Sequence, residues 1–167
     1  MGGVIAGAES NTKIYMNDIY LNNVNMSHQN SDMIGLIVGR VRSYAQMNNI
    51  VVIDSVIQGR HNLGLIIGKE DNTTTKVDIT NVFIKAEFIF QPDSSNVYSD
   101  YYGYIAGNSD AGKITTSNVY VVGMPSFNIN NSKGLNTVTS VIKDLNTIDN
   151  NWWKVNMKSI TDASYWQ

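Results

Sequence analysis

Apolar residues along this chain fall into short runs bracketed by glycine, and the runs recur. Gly3-Val4-Ile5-Ala6-Gly7, Gly35-Leu36-Ile37-Val38-Gly39, Gly64-Leu65-Ile66-Ile67-Gly68 and Gly103-Tyr104-Ile105-Ala106-Gly107 share one pattern of Gly, apolar residue, Ile, apolar residue, Gly. Their starts are about 32, 29 and 39 residues apart, a period that belongs to stacked repeats rather than to one globular core. Roughly a dozen residues beyond each closing glycine, Asp or Asn introduces a second apolar run: Asp18-Ile19-Tyr20-Leu21, Asn49-Ile50-Val51-Val52, Asn81-Val82-Phe83-Ile84 and Asn118-Val119-Tyr120-Val121. Two motifs in fixed order, four times over, define a repeating two-strand unit.

The pattern predicts an all-β chain, a parallel β-solenoid of about four coils in the form of a right-handed β-helix, over residues 1–125. The coils run about 3–32, 33–62, 63–100 and 101–124. Strands are expected near Val4 to Ala6, Ile14 to Met26, Ile50 to Ile57 and Val77 to Phe90. The run Ile50 to Ile57 is almost wholly apolar, as a strand covered on both faces would be. A polar excursion, Pro92-Asp93-Ser94-Ser95-Asn96, accounts for the longer third spacing, and Pro125 is placed to close the sheet because it has no N–H for a ladder.

The period changes after Pro125. Leu135, Val138, Val141, Ile142 and Leu145 recur at helical spacing, which predicts a short helix at about 135–146. With Trp152-Trp153 and Tyr165-Trp166 it would make residues 126–167 a C-terminal cap over the last coil. No such cap precedes the first motif, so the chain reads as a segment of a larger protein or one whose first coil is covered by another domain.

Stacking the coils turns each motif position into a ladder with a spacing of about 4.8 Å. Ile5, Ile37, Ile66 and Ile105 are expected to form one interior ladder, and Ile19, Ile50, Val82 and Val119 another. Asp18, Asn49, Asn81 and Asn118 should form a polar ladder, their side-chain amides bonding from coil to coil. Two-residue alternation sends Tyr20, Val51, Phe83 and Tyr120 to the opposite face. If that face is open, the stripe can stack on sugar rings or receive a protein; if another segment covers it, the stripe is packing.

Composition agrees with many strands and tight corners: 22 asparagines, abundant Ile and Val, and 2 prolines. A formal net charge of −2 with 16% charged residues gives no electrostatic signature of a nucleic-acid binder. Absence of cysteine removes disulfides, thiolate metal sites and a Cys nucleophile. No apolar run is long enough to insert in a membrane as a helix.

Catalytic and cofactor motifs are weak. Gly107-Asn108-Ser109-Asp110-Ala111-Gly112-Lys113 begins like a phosphate loop, but Ile114 stands where Ser or Thr would hold magnesium, and a β-type run follows. His28 and His61 occupy different offsets from their motifs, which argues against a metal or triad site. Asp54, Asp78 and Glu87, the acids a sugar-cleaving site would need, share no aligned position. Three glycosylation-type triplets, starting at Asn25, Asn72 and Asn130, are expected by chance in so Asn-rich a chain.

The glycine-bracketed units, followed by strands of the Asn-Val-Tyr-Val type, resemble the GLUG repeat family over roughly residues 3 to 124. Gly103 to Gly107 departs from its pattern, and most coils lack its doubled glycine. The resemblance implies a non-catalytic extracellular or cell-surface repeat module without cofactor or metal. Such a module would give a structural or adhesive surface for a protein or glycan partner. Two alternatives stay open: a lattice or filament subunit joined to itself through open solenoid ends, and a polysaccharide-processing β-helix enzyme.

Overall fold

A computed structural model describes residues 1–28, 32–70, 76–91, 100–109, 113–123 and 132–157. The strands of the first repeat are β1 (Ile5–Ala8), β2 (Lys13–Asn22) and β3 (Asn25–Ser27); those of the second are β4 (Ile34–Gly35), β5 (Val38–Val41) and β6 (Tyr44–Gly59). The third contributes β7 (Leu63–Gly64), β8 (Ile67–Glu70) and β9 (Lys76–Phe90), the fourth β10 (Tyr102–Gly103), β11 (Ala106–Asn108) and β12 (Ile114–Val122). The short strand β13 (Ser140–Ile142) and the helix α1 (Asn150–Asn156) follow.

These strands form three parallel sheets, in the orders β1-β5-β8-β11, β4-β7-β10 and β2-β6-β9-β12-β13, with β3 also on β6. Each strand lies beside its counterpart from the next repeat, which is why like residues meet. On the inner face of the largest sheet, Ile19, Ile50, Val82 and Val119 pair in register, and so do Leu21, Val52, Ile84 and Val121. The last three members of both sets are fully buried. Each such side chain contributes about 1.5–3 kcal/mol on burial, so these ladders are a main source of stability.

Asp18, Asn49, Asn81 and Asn118 interrupt the long strands at one aligned level, with φ of 56°, 56°, 54° and 52°. This left-handed region disfavours most side chains and is entered most readily by Gly, Asn and Asp. The polar ladder forms as expected. Asn49 Nδ2 donates to Asp18 Oδ1 at 2.9 Å, Asn81 Nδ2 to Asn49 Oδ1 at 3.2 Å, and Asn118 Nδ2 to Asn81 Oδ1 at 3.0 Å.

The first glycine motif shifts by one residue from the sequence reading. Ile5 pairs with Val38, and Val38 and Ala106 both pair with Ile67. Val4, not Ile5, therefore stands level with Ile37, Ile66 and Ile105, and its N–H bonds Ile37 O at 3.1 Å. The glycine aligned with Gly35 is Gly2, which bridges to it directly. The cause is steric. A Cβ on Gly2, Gly35, Gly64 or Gly103 would run into the carbonyl oxygen three residues ahead, whereas one on Gly7 would meet only Arg40 at an ordinary 3.7 Å. Gly7 is thus not the counterpart of Gly39, whose Cβ would lie 2.5 Å from Ala6 O.

The segment expected to be a helix at 135–146 is not one. Leu135 bridges antiparallel to Ala106, and Ser140–Ile142 pairs in parallel with Tyr120–Val122. The backbone edge of β12 offers hydrogen bonds that a helix here would leave unmade. The helix comes later, as α1, where Asp149 caps the start by accepting from Trp152 N at 2.7 Å. Pro125, the excursion 92–96, the triplet at Asn72 and the pair Tyr165-Trp166 lie outside the described residues.

Candidate functional site

The asparagine level divides the outer face of the largest sheet into two halves. Beyond it, Tyr20, Val51, Phe83 and Tyr120 stand in register, as the alternation requires. Val51, Phe83 and Tyr120 are buried, and only Tyr20, 41% exposed, stays open. Helix α1 covers them. Trp153 lies 4.9 Å from Phe83 between ring centroids, and Trp152 lies 4.9 Å from Tyr120. Tyr120 Oη donates to Asn156 Oδ1 at 3.0 Å, and Met157 is fully buried in the same cluster. Three of the four stripe positions are therefore packing. The helix and tryptophans of the expected cap lie along a sheet face, whereas Leu135 and Ser140–Ile142 pair with the strands of the last repeat.

Before the asparagine level the same face is open. Inward positions are Ile14 and Met16, Ala45 and Met47, Val77 and Ile79, with Ile114 and Thr116 in the last row. Outward positions must alternate with them. They form three columns across the strands: Lys13, Tyr44, Lys76, Lys113; Tyr15, Gln46, Asp78, Thr115; and Asn17, Asn48, Thr80, Ser117. Neighbouring rows are about 4.8 Å apart, and neighbouring columns about 6.7 Å apart. The result is a grid of aromatic, amide, hydroxyl and charged groups.

Tyr15 is 65% exposed, the largest exposure among the large apolar and aromatic side chains of this face. It sits diagonally across from Tyr44 with ring centroids 5.6 Å apart and planes tilted by 53°. Asn48 Nδ2 donates to Asn17 Oδ1 at 2.9 Å, which fixes the amides beside these rings. Lys76 Nζ is 3.0 Å from Asp78 Oδ2. That hydrogen bond, and then the carboxylate charge, hold the Lys76 ammonium above its ordinary pKa. The Lys76 ammonium therefore stays charged at neutral pH.

The other sequence candidates do not converge. Asp54 is paired with Lys85 at 2.6 Å, Asp78 with Lys76, and Glu87 lies opposite Val56. Among the described residues no three His, Cys, Asp or Glu side chains form a group that could hold a metal ion. Gly107 and Asn108 belong to β11, and among the described residues a strand, not a helix, begins at Ile114. His61 is buried, with Nδ1 3.2 Å from Asp32 Oδ1. No helix of the described residues is long and apolar enough to cross a membrane.

Alternation counted from Asp18, Asn49, Asn81 and Asn118 onward does not extend to the grid before them. Counted straight back from Tyr20, alternation would turn Met16 and Ile14 outward; the left-handed residue at Asp18 shifts the phase by one and turns Asn17, Tyr15 and Lys13 out instead. Compared with models of known protein families, with curated proteins and with solved structures, the chain finds no match.

Proposed function

We propose that this chain is a non-catalytic recognition module that binds a glycan on its open sheet face. The observation that carries the reading is the Tyr15–Tyr44 pair, Tyr15 exposed and Tyr44 half-buried beside it, among Asn17, Gln46, Asn48 and Thr80. A pyranose ring offers a C–H face that packs on an aromatic ring and a rim of hydroxyls that bond amides. In this reading the three parallel sheets are the walls of a β-solenoid of the β-helix kind, a rigid support that holds the grid without an ordering step on binding. The GLUG-like motifs support an extracellular or cell-surface setting.

Oligosaccharide arrays followed by calorimetry test this directly. Binding that falls at least tenfold in both Tyr15→Ala and Tyr44→Ala is expected. A protein that binds no saccharide, or binds equally well without both rings, would remove the proposal.

A second reading has its own observation. β1 and β2 are outermost in their sheets, and their residues Ile5, Ile14, Ile19 and Leu21 are only partly buried. A strand edge of this kind can receive another chain, which would make the protein a lattice or filament subunit. Light scattering over a wide concentration range, with electron microscopy of the same fractions, decides it: growth with concentration supports assembly, and a constant monomer mass removes it.

A further inference from the structure

We infer that the glycan taken by this face is a single chain that turns between successive sugar rings, held in one cell of the grid, and not the flat face of a crystalline polysaccharide. The inference rests on the glycan reading above and adds the shape of the ligand. Its basis is the geometry of four side chains. Lys13 pairs with Tyr44 and Tyr15 with Gln46, so these residues stand at the corners of one cell spanning β2 and β6. The two rings occupy one diagonal of the cell, Lys13 and Gln46 the other.

The ring planes are inclined to each other by 53°, with centroids only 5.6 Å apart. A sugar packs its C–H face on an aromatic ring when the two planes are nearly parallel. A rigid planar array of sugars can therefore lie flat on Tyr15 or on Tyr44, but not on both. A chain free to rotate about its glycosidic bonds can incline one sugar to each ring. The short separation makes those two sugars neighbours in the chain, with no spare unit between them.

Hydroxyl recognition falls to the other diagonal. The amides just beyond the cell are already bonded: Asn17 Nδ2 donates to Asp18 Oδ2 at 2.7 Å, Asn48 Nδ2 to Asn17 Oδ1 at 2.9 Å and Asn81 Nδ2 to Asn48 Oδ1 at 3.2 Å. Among the described residues, no hydrogen bond or ion pair engages the side-chain ends of Lys13 and Gln46, and both residues are exposed. Gln46 offers donors and an acceptor, and Lys13 offers donors, to the hydroxyl rim of sugars stacked beside them. These contacts need no charge on the ligand.

The test is the affinity of the full chain for cellulose and chitin, each as an amorphous and as a crystalline suspension, and for soluble xylan and β-1,3-glucan oligomers. The expected result is binding to at least one amorphous or soluble chain, reduced about tenfold or more in Tyr15→Ala and in Tyr44→Ala. Gln46→Ala, which removes a hydroxyl partner, should reduce it about 2- to 10-fold. The crystalline form of a bound polymer should bind about tenfold more weakly than its amorphous form, since one ring is left out. Tyr20→Ala, which removes an exposed ring beyond the asparagine level, should leave affinity unchanged. A crystalline form bound as tightly as its amorphous form overturns this inference while leaving the glycan reading standing. Binding that depends on only one of the two rings does the same, and no saccharide binding at all removes both. Circular dichroism of each variant shows that the substitutions leave the sheets formed.

Discussion

The Asn49 side chain donates its amide to Asp18 Oδ1 across two neighbouring repeats at 2.9 Å, while both backbones sit at φ 56°. The same side chain thus meets two demands at once: it tolerates a left-handed backbone, and it closes a hydrogen bond at a point where the strands cannot pair normally. Asn81 and Asn118 repeat the arrangement, and every amide in the series points toward the preceding repeat.

Asn81 is the most informative member to change, because its amide reaches both Asn48 and Asn49 at 3.2 Å. Asn81→Ala loses those bonds and places Cβ in a left-handed conformation, for an expected loss of about 2–3 kcal/mol. Asn81→Gly loses the bonds but relaxes the backbone, so its loss should be about 1 kcal/mol. Urea unfolding of the two variants separates the backbone contribution from the ladder contribution.

Gly64 and Gly7 should respond in opposite ways to the same added methyl group. Gly64→Ala drives Cβ into the Ile67 carbonyl and should destabilise by about 3 kcal/mol or more. Gly7→Ala adds only an ordinary contact 3.7 Å from Arg40 O and should stay within about 0.5 kcal/mol of the parent. Equal loss at both sites, in thermal unfolding, would refute the one-residue shift of the first motif.

Trp153→Ala should loosen α1 from the sheet. The ring is half-buried against Phe83, so the expected loss is about 2 kcal/mol, below the ~3–5 of a fully enclosed aromatic. Hydrogen exchange is the discriminating readout: α1 amides should exchange faster, while those of β6 and β9 keep their protection. Uniform acceleration through the sheet would mean that the helix is integral to the repeats rather than laid on them.

Tyr104 supplies a pH signature. Burial lifts its hydroxyl above the ordinary phenol value of 10.0, because the charged form is poorly solvated inside. The folded state therefore holds its proton more tightly than the unfolded chain does. Its contribution is complete below pH 10 and is lost as pH rises from there through the folded value. Tyr104→Phe should flatten that alkaline loss in urea melts between pH 9 and about 11; an unchanged slope would assign the loss to other groups.

The repeats were legible in the sequence because their side chains answer to one physical requirement at each level. Ile50, Val82 and Val119 must fill the interior, and Asn49, Asn81 and Asn118 must hold a left-handed corner, so composition and position coincide. Elsewhere two solutions fit the same letters. Gly2 and Gly3 are adjacent and both are tight, Gly2 against the Ile5 carbonyl and Gly3 against that of Leu36; the bridge from Gly2 to Gly35 settles which of them is the counterpart. Val141 and Ile142 satisfy a helical spacing as well as a strand, and the waiting edge of β12 settles the matter. Tyr15 and Tyr44 carried no signal in the repeat pattern, since the grid they belong to differs from row to row.

That difference has a bearing on how the chain can change. Each strand of the grid comes from a separate repeat, whereas its support comes from ladders that all repeats share. Substitutions at Tyr15, Gln46, Asp78 or Thr115 therefore alter one rung of the outer surface without disturbing the interior beneath it. Selection can rewrite the face rung by rung, and duplication of a repeat would lengthen it by one strand spacing, on a frame that stays the same.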